Sequence, residues 1–256
     1  MELRTLGATG VQVSPIGFGA FKIGRNLKTK YAEHYELPDD ATVHRLLDGV
    51  LDAGITLVDT APAYGNSEAR IGEYLPASGR RSEIVLSTKV GERFQDGHSS
   101  YAFDRTSISN SIDASLKRLG TDRLDIVCVH SNGDDLEIIQ QSDVLEVLGE
   151  RRRRGDIGLV GFSGKTLEGH RACLAPALGV QVLMIELNPL ETAQAALLED
   201  AQAAGVGVLV KKGLASGRLS ASEALPWLLT HEQVASIVVG GLSLEHIREN
   251  VRLGEA

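Results

Sequence analysis

The side chains whose types and spacing suit them to act together on a substrate are Asp59, Tyr64, Lys89 and His130. Asp59 follows the apolar residues Ile55, Leu57 and Val58, and Tyr64 comes five residues later in a loop punctuated by Pro62, Gly65 and Asn66. Lys89 ends the stretch IVLSTK, and His130 ends LDIVCVH. A phenol has an ordinary pKa of about 10, too high for an efficient proton donor near neutrality. A neighbouring ammonium stabilises the phenolate and is expected to lower that value, and Lys89 can supply one. A buried ammonium tends to lose its own charge unless a carboxylate such as Asp59 holds it. His130 can then donate a hydrogen bond that orients a substrate oxygen. The set suits protonation of an oxygen on which negative charge develops, as when a carbonyl receives hydride. Singly, each residue has a plainer reading: the aspartate as a loop cap, the tyrosine as packing, the lysine as solvated, the histidine as structural. It is their conjunction on successive strand ends that carries the argument.

Those strand ends belong to a regular alternation. Continuously apolar runs at 16–19, 56–58, 84–87, 124–129, 157–161, 180–185, 206–210 and 236–239 read as short buried parallel strands. Helix-period segments follow them at roughly 41–53, 67–75, 105–119, 141–153, 166–173, 192–204, 220–229 and 243–252. In 105–119, for example, Ile108, Ile112, Ser115, Leu116 and Leu119 form one stripe, and Gly120 stops the helix. Eight such repeats in about 250 residues are the arithmetic of a (β/α)₈ TIM barrel. Residues 1–14 read as an N-terminal β-hairpin able to plug the bottom of that barrel. No low-complexity linker interrupts the chain, so residues 1–256 read as one domain. A doubly wound sheet is the alternative, but no strand is followed by GxGxxG. Barrel active sites lie at the carboxyl ends of the strands, where the four residues above are expected to meet. The connection between Phe21 and Asp39 is oversized and follows the first strand, so it is placed to lean over a substrate.

Composition narrows the class. A net charge of −8 gives no electrostatic support to nucleic-acid binding, and no apolar stretch is long enough to span a membrane. The four arginines at 151–154 read as the cationic end of a helix before Gly155. MELRTLGATG has no apolar core, so no secretory signal is expected. Two cysteines, Cys128 and Cys173, make neither a disulfide framework nor a zinc spacing, which suits the cytoplasm.

The blocks GFGA at 17–20, DTAPAYGNSE at 59–68, STKVG at 87–91, SLKRLGTDRLDIVCVH at 115–130 and IGLVGFSG at 157–164 resemble the aldo-keto reductase superfamily. So do the blocks that follow: NP at 188–189, GVGVLVKKGLASGRL at 205–219 and EHIRENV at 245–251. The resemblance implies reduction of small aldehydes or ketones with NADPH, NADH being possible. It makes Tyr64 the general acid, assisted by Lys89 and Asp59, with His130 directing the carbonyl. It also implies an extended nicotinamide cofactor along Gly19, Ala20, Asp59, Ser163, Gly164, Met184, Val210, Lys211, Gly213 and Leu214. The set continues through Gly240, Gly241, His246, Glu249 and Asn250. At three of these positions the chain departs from the family habit. Gly164 stands where an asparagine is usual, Met184 where a glutamine is, and Lys211 where an aromatic ring is. Ser243, His246 and Arg248 are the residues expected near a cofactor 2′-phosphate. Only six residues follow Asn250, so the pocket is expected to be open, bordered by the 21–39 connection, Phe94 and Trp227. Trp227, spaced on a helix with Leu228, reads as structural. The family includes monomers and larger assemblies, which leaves the oligomeric state open.

Two other classes fit parts of the pattern. A nucleotide-binding scaffold barrel with little turnover would account for the departures at 164, 184 and 211, but has no need of all four catalytic residues. A Schiff-base lyase would use Lys89 as its amine. On the sequence alone, Lys89→Met is expected to cost activity with little loss of folding.

Overall fold

The computed structural model describes residues 1–29, 31 and 34–255. Strands β1 (Arg4–Thr5) and β2 (Gln12–Val13) pair antiparallel as the expected hairpin. The barrel begins at β3 (Ile16–Gly19), followed by a single turn, α1 (Phe21–Gly24), and by α2 (Asp40–Asp52). Next come β4 (Leu57–Asp59), α3 (Ser67–Ser78) and β5 (Val85–Val90). A second antiparallel hairpin follows, β6 (Glu92–Gln95) with β7 (His98–Tyr101), before α4 (Arg105–Leu119). The chain continues with β8 (Leu124–His130), α5 (Asp135–Gln141), α6 (Val144–Arg154) and β9 (Ile157–Ser163). Then come α7 (Leu167–Ala172), β10 (Val182–Glu186), α8 (Leu198–Ala203), β11 (Gly207–Lys211), α9 (Ala221–Leu229), β12 (Val234–Val239) and α10 (Leu244–Leu253).

Strands β3, β4, β5, β8, β9, β10, β11 and β12 are parallel neighbours in that order, and β12 returns to β3 through Ile237 opposite Ile16. The barrel sheet is therefore closed and has no free edge strand. Alternate strand residues feed two cores. Leu57, Ile126, Cys128, Leu159, Val182, Met184 and Leu209 fill the barrel, and Leu6 and Val13 of the hairpin seal its base. The opposite residues, with Val58, Val127, Val160, Leu183 and Val210 among them, pack against the helices. Each fully buried side chain of this size contributes about 1.5–3 kcal/mol, which makes the frame rigid under the site. Gly207 has no side chain because the hairpin lies on it: a Cβ there would come 2.5 Å from Leu6 Cδ1.

Helix ends follow local chemistry. Asp39 and Asp104 cap α2 and α4 by accepting from the amides of Thr42 and Ser107, and Ser220 forms a capping box with Glu223 on α9. The arginine run ends α6 at Gly155, which takes the left-handed conformation at φ 95°. Two expectations are revised. The helix read at 141–153 is α6, starting at Val144, and it is preceded by the unanticipated α5; Ser142, whose hydroxyl turns back onto the carbonyl of Ile138, leaves the helical conformation between them. The segment 192–204 opens with a 3₁₀ turn at Ala193–Leu197 before α8. Part of the oversized 21–39 connection, residues 30, 32 and 33, lies outside the described residues. No helix among the described residues is long and apolar enough to cross a membrane.

Candidate active site

Asp59 is the last residue of β4, and Lys89 is the penultimate residue of β5, the adjacent strand. Both are buried, at 2% and 1% exposure, with Lys89 Nζ 2.6 Å from Asp59 Oδ2. Ser87 donates to the other carboxylate oxygen at 2.8 Å, and Nζ also donates to the carbonyl of Thr60 at 2.9 Å. Burial alone would pull the ammonium's pKa down, but Asp59 and Tyr64 more than reverse this and raise it. A lysine so firmly protonated is a poor nucleophile, which argues against the Schiff-base reading.

Tyr64 hangs over this pair, its ring centroid 4.9 Å from Lys89 Nζ. Burial pushes the phenol up to about 12, and the opposing pull of Lys89 does not compensate. The sequence-based expectation of a lowered pKa is thus overturned: Asp59 largely neutralises the ammonium that was to stabilise the phenolate, while desolvation penalises the anion in full. Tyr64 therefore keeps its proton throughout the neutral range.

The loop carrying Tyr64 is held by backbone packing that only glycine permits. A Cβ on Gly24 would lie 2.2 Å from Tyr64 O and from Ser67 N, and one on Gly65 would lie 2.2 Å from Gly24 O. Thr60 and Ser67 share a hydroxyl contact at 2.8 Å, and Ser67 donates to Ala20 O, tying the loop to β3. Glu68, also buried, accepts from Thr88 at 2.6 Å and pairs with Arg118. Most polar letters of DTAPAYGNSE therefore build the mount for Tyr64. Gly24→Ala is expected to destabilise the fold by about 1–3 kcal/mol and to reduce turnover by displacing the Tyr64 loop. Urea unfolding and steady-state rates check this together.

His130 ends β8 and stands edge-on to Tyr64, ring centroids 6.2 Å apart and planes at 85°. Its Nδ1 lies 2.8 Å from Glu92 Oε2, a close polar contact off the line of a linear hydrogen bond, which becomes an ion pair only when the imidazole is protonated. Burial lowers the pKa of His130, and Glu92 only partly offsets this. Arg25 places its guanidinium 3.2 Å from the ring centre of Phe94 on β6 and donates to Ala63 O beside Tyr64. Glu92 and Arg25 were not singled out from the sequence. The hairpin that presents Glu92 did have a signal: Asp96–Gly97, both at positive φ, is a two-residue turn flanked by four-residue strands. The polar contact with His130, 38 positions away, had none.

Together these residues line a cavity of about 740 Å³ at the carboxyl ends of the strands, a volume that suits a small-molecule site. Among the described residues Lys22, Arg25, Lys28, Lys165, Lys211 and Lys212 face it, against Asp59, Glu92 and Glu186. The mouth of a chain whose net charge is −8 is thus locally cationic. Phe94 lines it, as expected; Trp227 does not, meeting instead His231, just past the end of α9, edge to face.

The sequence pattern of the Aldo/keto reductase family matches residues 15–226. The chain belongs to that family. Its fold superposes on PA4992 of Pseudomonas aeruginosa with a TM-score of 0.89 at 39% identity, covering 98% of this chain and 93% of that one. It superposes on the holo form of aldo-keto reductase AKR11C1 from Bacillus halodurans with a TM-score of 0.85 at 27% identity, covering 100% and 91%. Aldo-keto reductase YhdN of Bacillus subtilis is 31% identical over 71% of this chain. That match spans only 53% of YhdN, so the chain covers about half the length of this curated relative. Aldo-keto reductases are oxidoreductases that work with nicotinamide cofactors and small molecules.

The aldo-keto reductase cofactor positions divide. Gly19, Asp59, Met184, Lys211, Gly213, Leu214 and Gly240 line the cavity. Ala20 and Val210 lie in the layer between strands and helices. Gly241 follows β12, and His246, Glu249 and Asn250 stand on α10; none of these four lines the cavity. Ser243 is spent capping α10, and Arg248 faces a separate groove with Ala53 and Glu245. At Gly164 a Cβ would meet Asp135 Oδ2 at 2.8 Å and His170 Nε2 at 2.9 Å, so the usual asparagine has no room. Lys211 instead reaches across, donating to Ser163 Oγ at 2.9 Å and to Gly164 O at 2.7 Å. Burial, with Lys212 and Lys89 nearby, brings its pKa down to about 7. Lys212 does not simply face solvent but pairs with Glu186. Lys212, Ala215 and Ser216 all hold positive φ, a strained loop at the edge of the cavity. A cationic, glycine-rich strained loop with a half-buried lysine beneath it fits a dinucleotide's phosphates and amide.

Proposed function

We propose that this protein reduces small aldehydes or ketones to alcohols with NADPH, or with NADH in its place. The observation that carries the reading is the buried Lys89–Asp59 pair directly beneath the Tyr64 ring, at the carboxyl ends of the barrel strands. When bound, a reduced nicotinamide supplies the hydride to the carbonyl carbon. Tyr64 donates its phenolic proton to the carbonyl oxygen, and Lys89, kept charged by Asp59, stabilises the phenolate left behind. His130 contacts the substrate oxygen from the opposite side. Phe21, packed edge-to-face on Tyr64 at 5.0 Å, and Phe94 narrow the approach and exclude water. The same residues serve alcohol oxidation by microscopic reversibility. The buried, unpaired thiols of Cys128 and Cys173 suit a cytoplasmic setting.

The closed site at Gly164 favours one second reading, a nucleotide-binding barrel with little turnover. A fluorescence titration with NADPH and with NADH, followed by a panel of small aldehydes in the same cuvette, separates the two. Tight binding with carbonyl-dependent loss of the reduced-nicotinamide signal is the expected result and selects the cofactor. Tight binding without turnover across the panel would transfer the case to the scaffold, and no binding of either cofactor would sink both.

A further inference from the structure

Glu92 is an acid of the mouth that the proposed chemistry leaves without a role and that touches His130. Its side chain is only 10% exposed, it opens β6, and its Oε1 accepts from Ser99 across the hairpin at 2.6 Å. Burial pushes its carboxyl up, but the closeness of His130 and the hydrogen bond from Ser99 prevail and hold it down at about 2. A carboxylate 2.8 Å from Nδ1 would repel a bare nitrogen lone pair, so Nδ1 carries a proton. In a neutral imidazole only one nitrogen is protonated, which leaves Nε2 bare. Among the described residues the polar contact His130 makes is through Nδ1, and the ring lines the cavity, which leaves Nε2 for a substrate.

We propose that Glu92 is a positioning residue that fixes His130 in the Nδ1–H tautomer, so that Nε2 meets the substrate as an acceptor when neutral and as a donor only as imidazolium. The inference rests on the reductase reading for its catalytic consequence, not for the tautomer itself. The groups facing His130 are Glu92 from the hairpin, Lys89 from β5, Lys211 from β11 and Tyr64 from the loop after β4. Glu92 alone favours the imidazolium; burial and the two lysines oppose it. Carbonyl reduction therefore gains its His130 donor as pH falls, and Glu92 raises the pH at which this occurs against burial and the two lysines.

The test uses nitrogen-15 NMR of the imidazoles in cofactor-free protein, with His130→Asn to assign the signal. In the wild type above the His130 pKa, Nδ1 should show the shift of a protonated nitrogen and Nε2 that of a bare one. Glu92→Gln should lower the His130 pKa by about one unit or more and move the corresponding limb of the reduction pH profile by the same amount, with NADPH affinity unchanged. Ser99→Ala removes a donor from the carboxylate but leaves its charge, so it should not lower the His130 pKa. An Nε2–H tautomer in the wild type, or a His130 titration indifferent to Glu92→Gln, would overturn the proposal. If no carbonyl is reduced by any variant while the tautomer is as stated, the reductase reading fails and the role of Glu92 stands.

Discussion

Replacing Tyr64 by phenylalanine is expected to slow carbonyl reduction by roughly 10²–10⁴-fold, the usual worth of a positioned proton donor. The ring contacts with Phe21 and His130 do not involve the hydroxyl, so the loop keeps its packing and cofactor affinity stays near that of the wild type. Because the phenol is pushed up to about 12, wild-type turnover should show no Tyr64 limb in the neutral range. Single-turnover hydride transfer, with cofactor binding measured in parallel, checks both statements. Near-normal rates in the variant would remove Tyr64 as the donor.

Lys89→Met is expected to damage the fold as well as the chemistry, by about 3–5 kcal/mol, because it strands a buried carboxylate. This reverses the milder outcome expected from the sequence alone. There Lys89 was a cation at a strand end; in the barrel it is buried and supplies the only cation within hydrogen-bond reach of Asp59 among the described residues. The sign with pH follows from its raised folded pKa. The stabilisation is fully present below the ordinary lysine value of 10.5 and is lost as pH rises through the folded value. Urea unfolding at pH 7 therefore captures the whole effect. The double variant Asp59→Asn with Lys89→Met should lose less than the sum of the two single changes, since it leaves no charge unpaired. Additive losses would mean that the pair is not coupled.

The sequence by itself determined the barrel and the place of its chemistry. Short apolar strands alternating with amphipathic helices permit few arrangements, and a parallel sheet of eight such units closes on itself. Asp59, Lys89 and His130 could be placed at strand ends because strand periodicity and chain order suffice for that. Tyr64 could be placed because the Gly- and Pro-rich loop around it is local. The 92–101 hairpin had a readable turn in Asp96–Gly97, but a turn says nothing about what its strands will cover. What only the tertiary structure decided is how the groups affect one another. Whether Lys89 lowers the pKa of Tyr64 depends on the competition between its charge, the neutralising Asp59 and desolvation, all of which depend on distance and burial. Whether Gly164 can be an asparagine depends on Asp135 and His170, neither of them its neighbour in the chain. Glu92 reaches His130 only because the hairpin after β5 folds over the end of β8. Side-chain type and spacing along one chain fix which strand end a residue occupies; Coulomb energy and desolvation depend on separations through space, and those exist only once the barrel has closed.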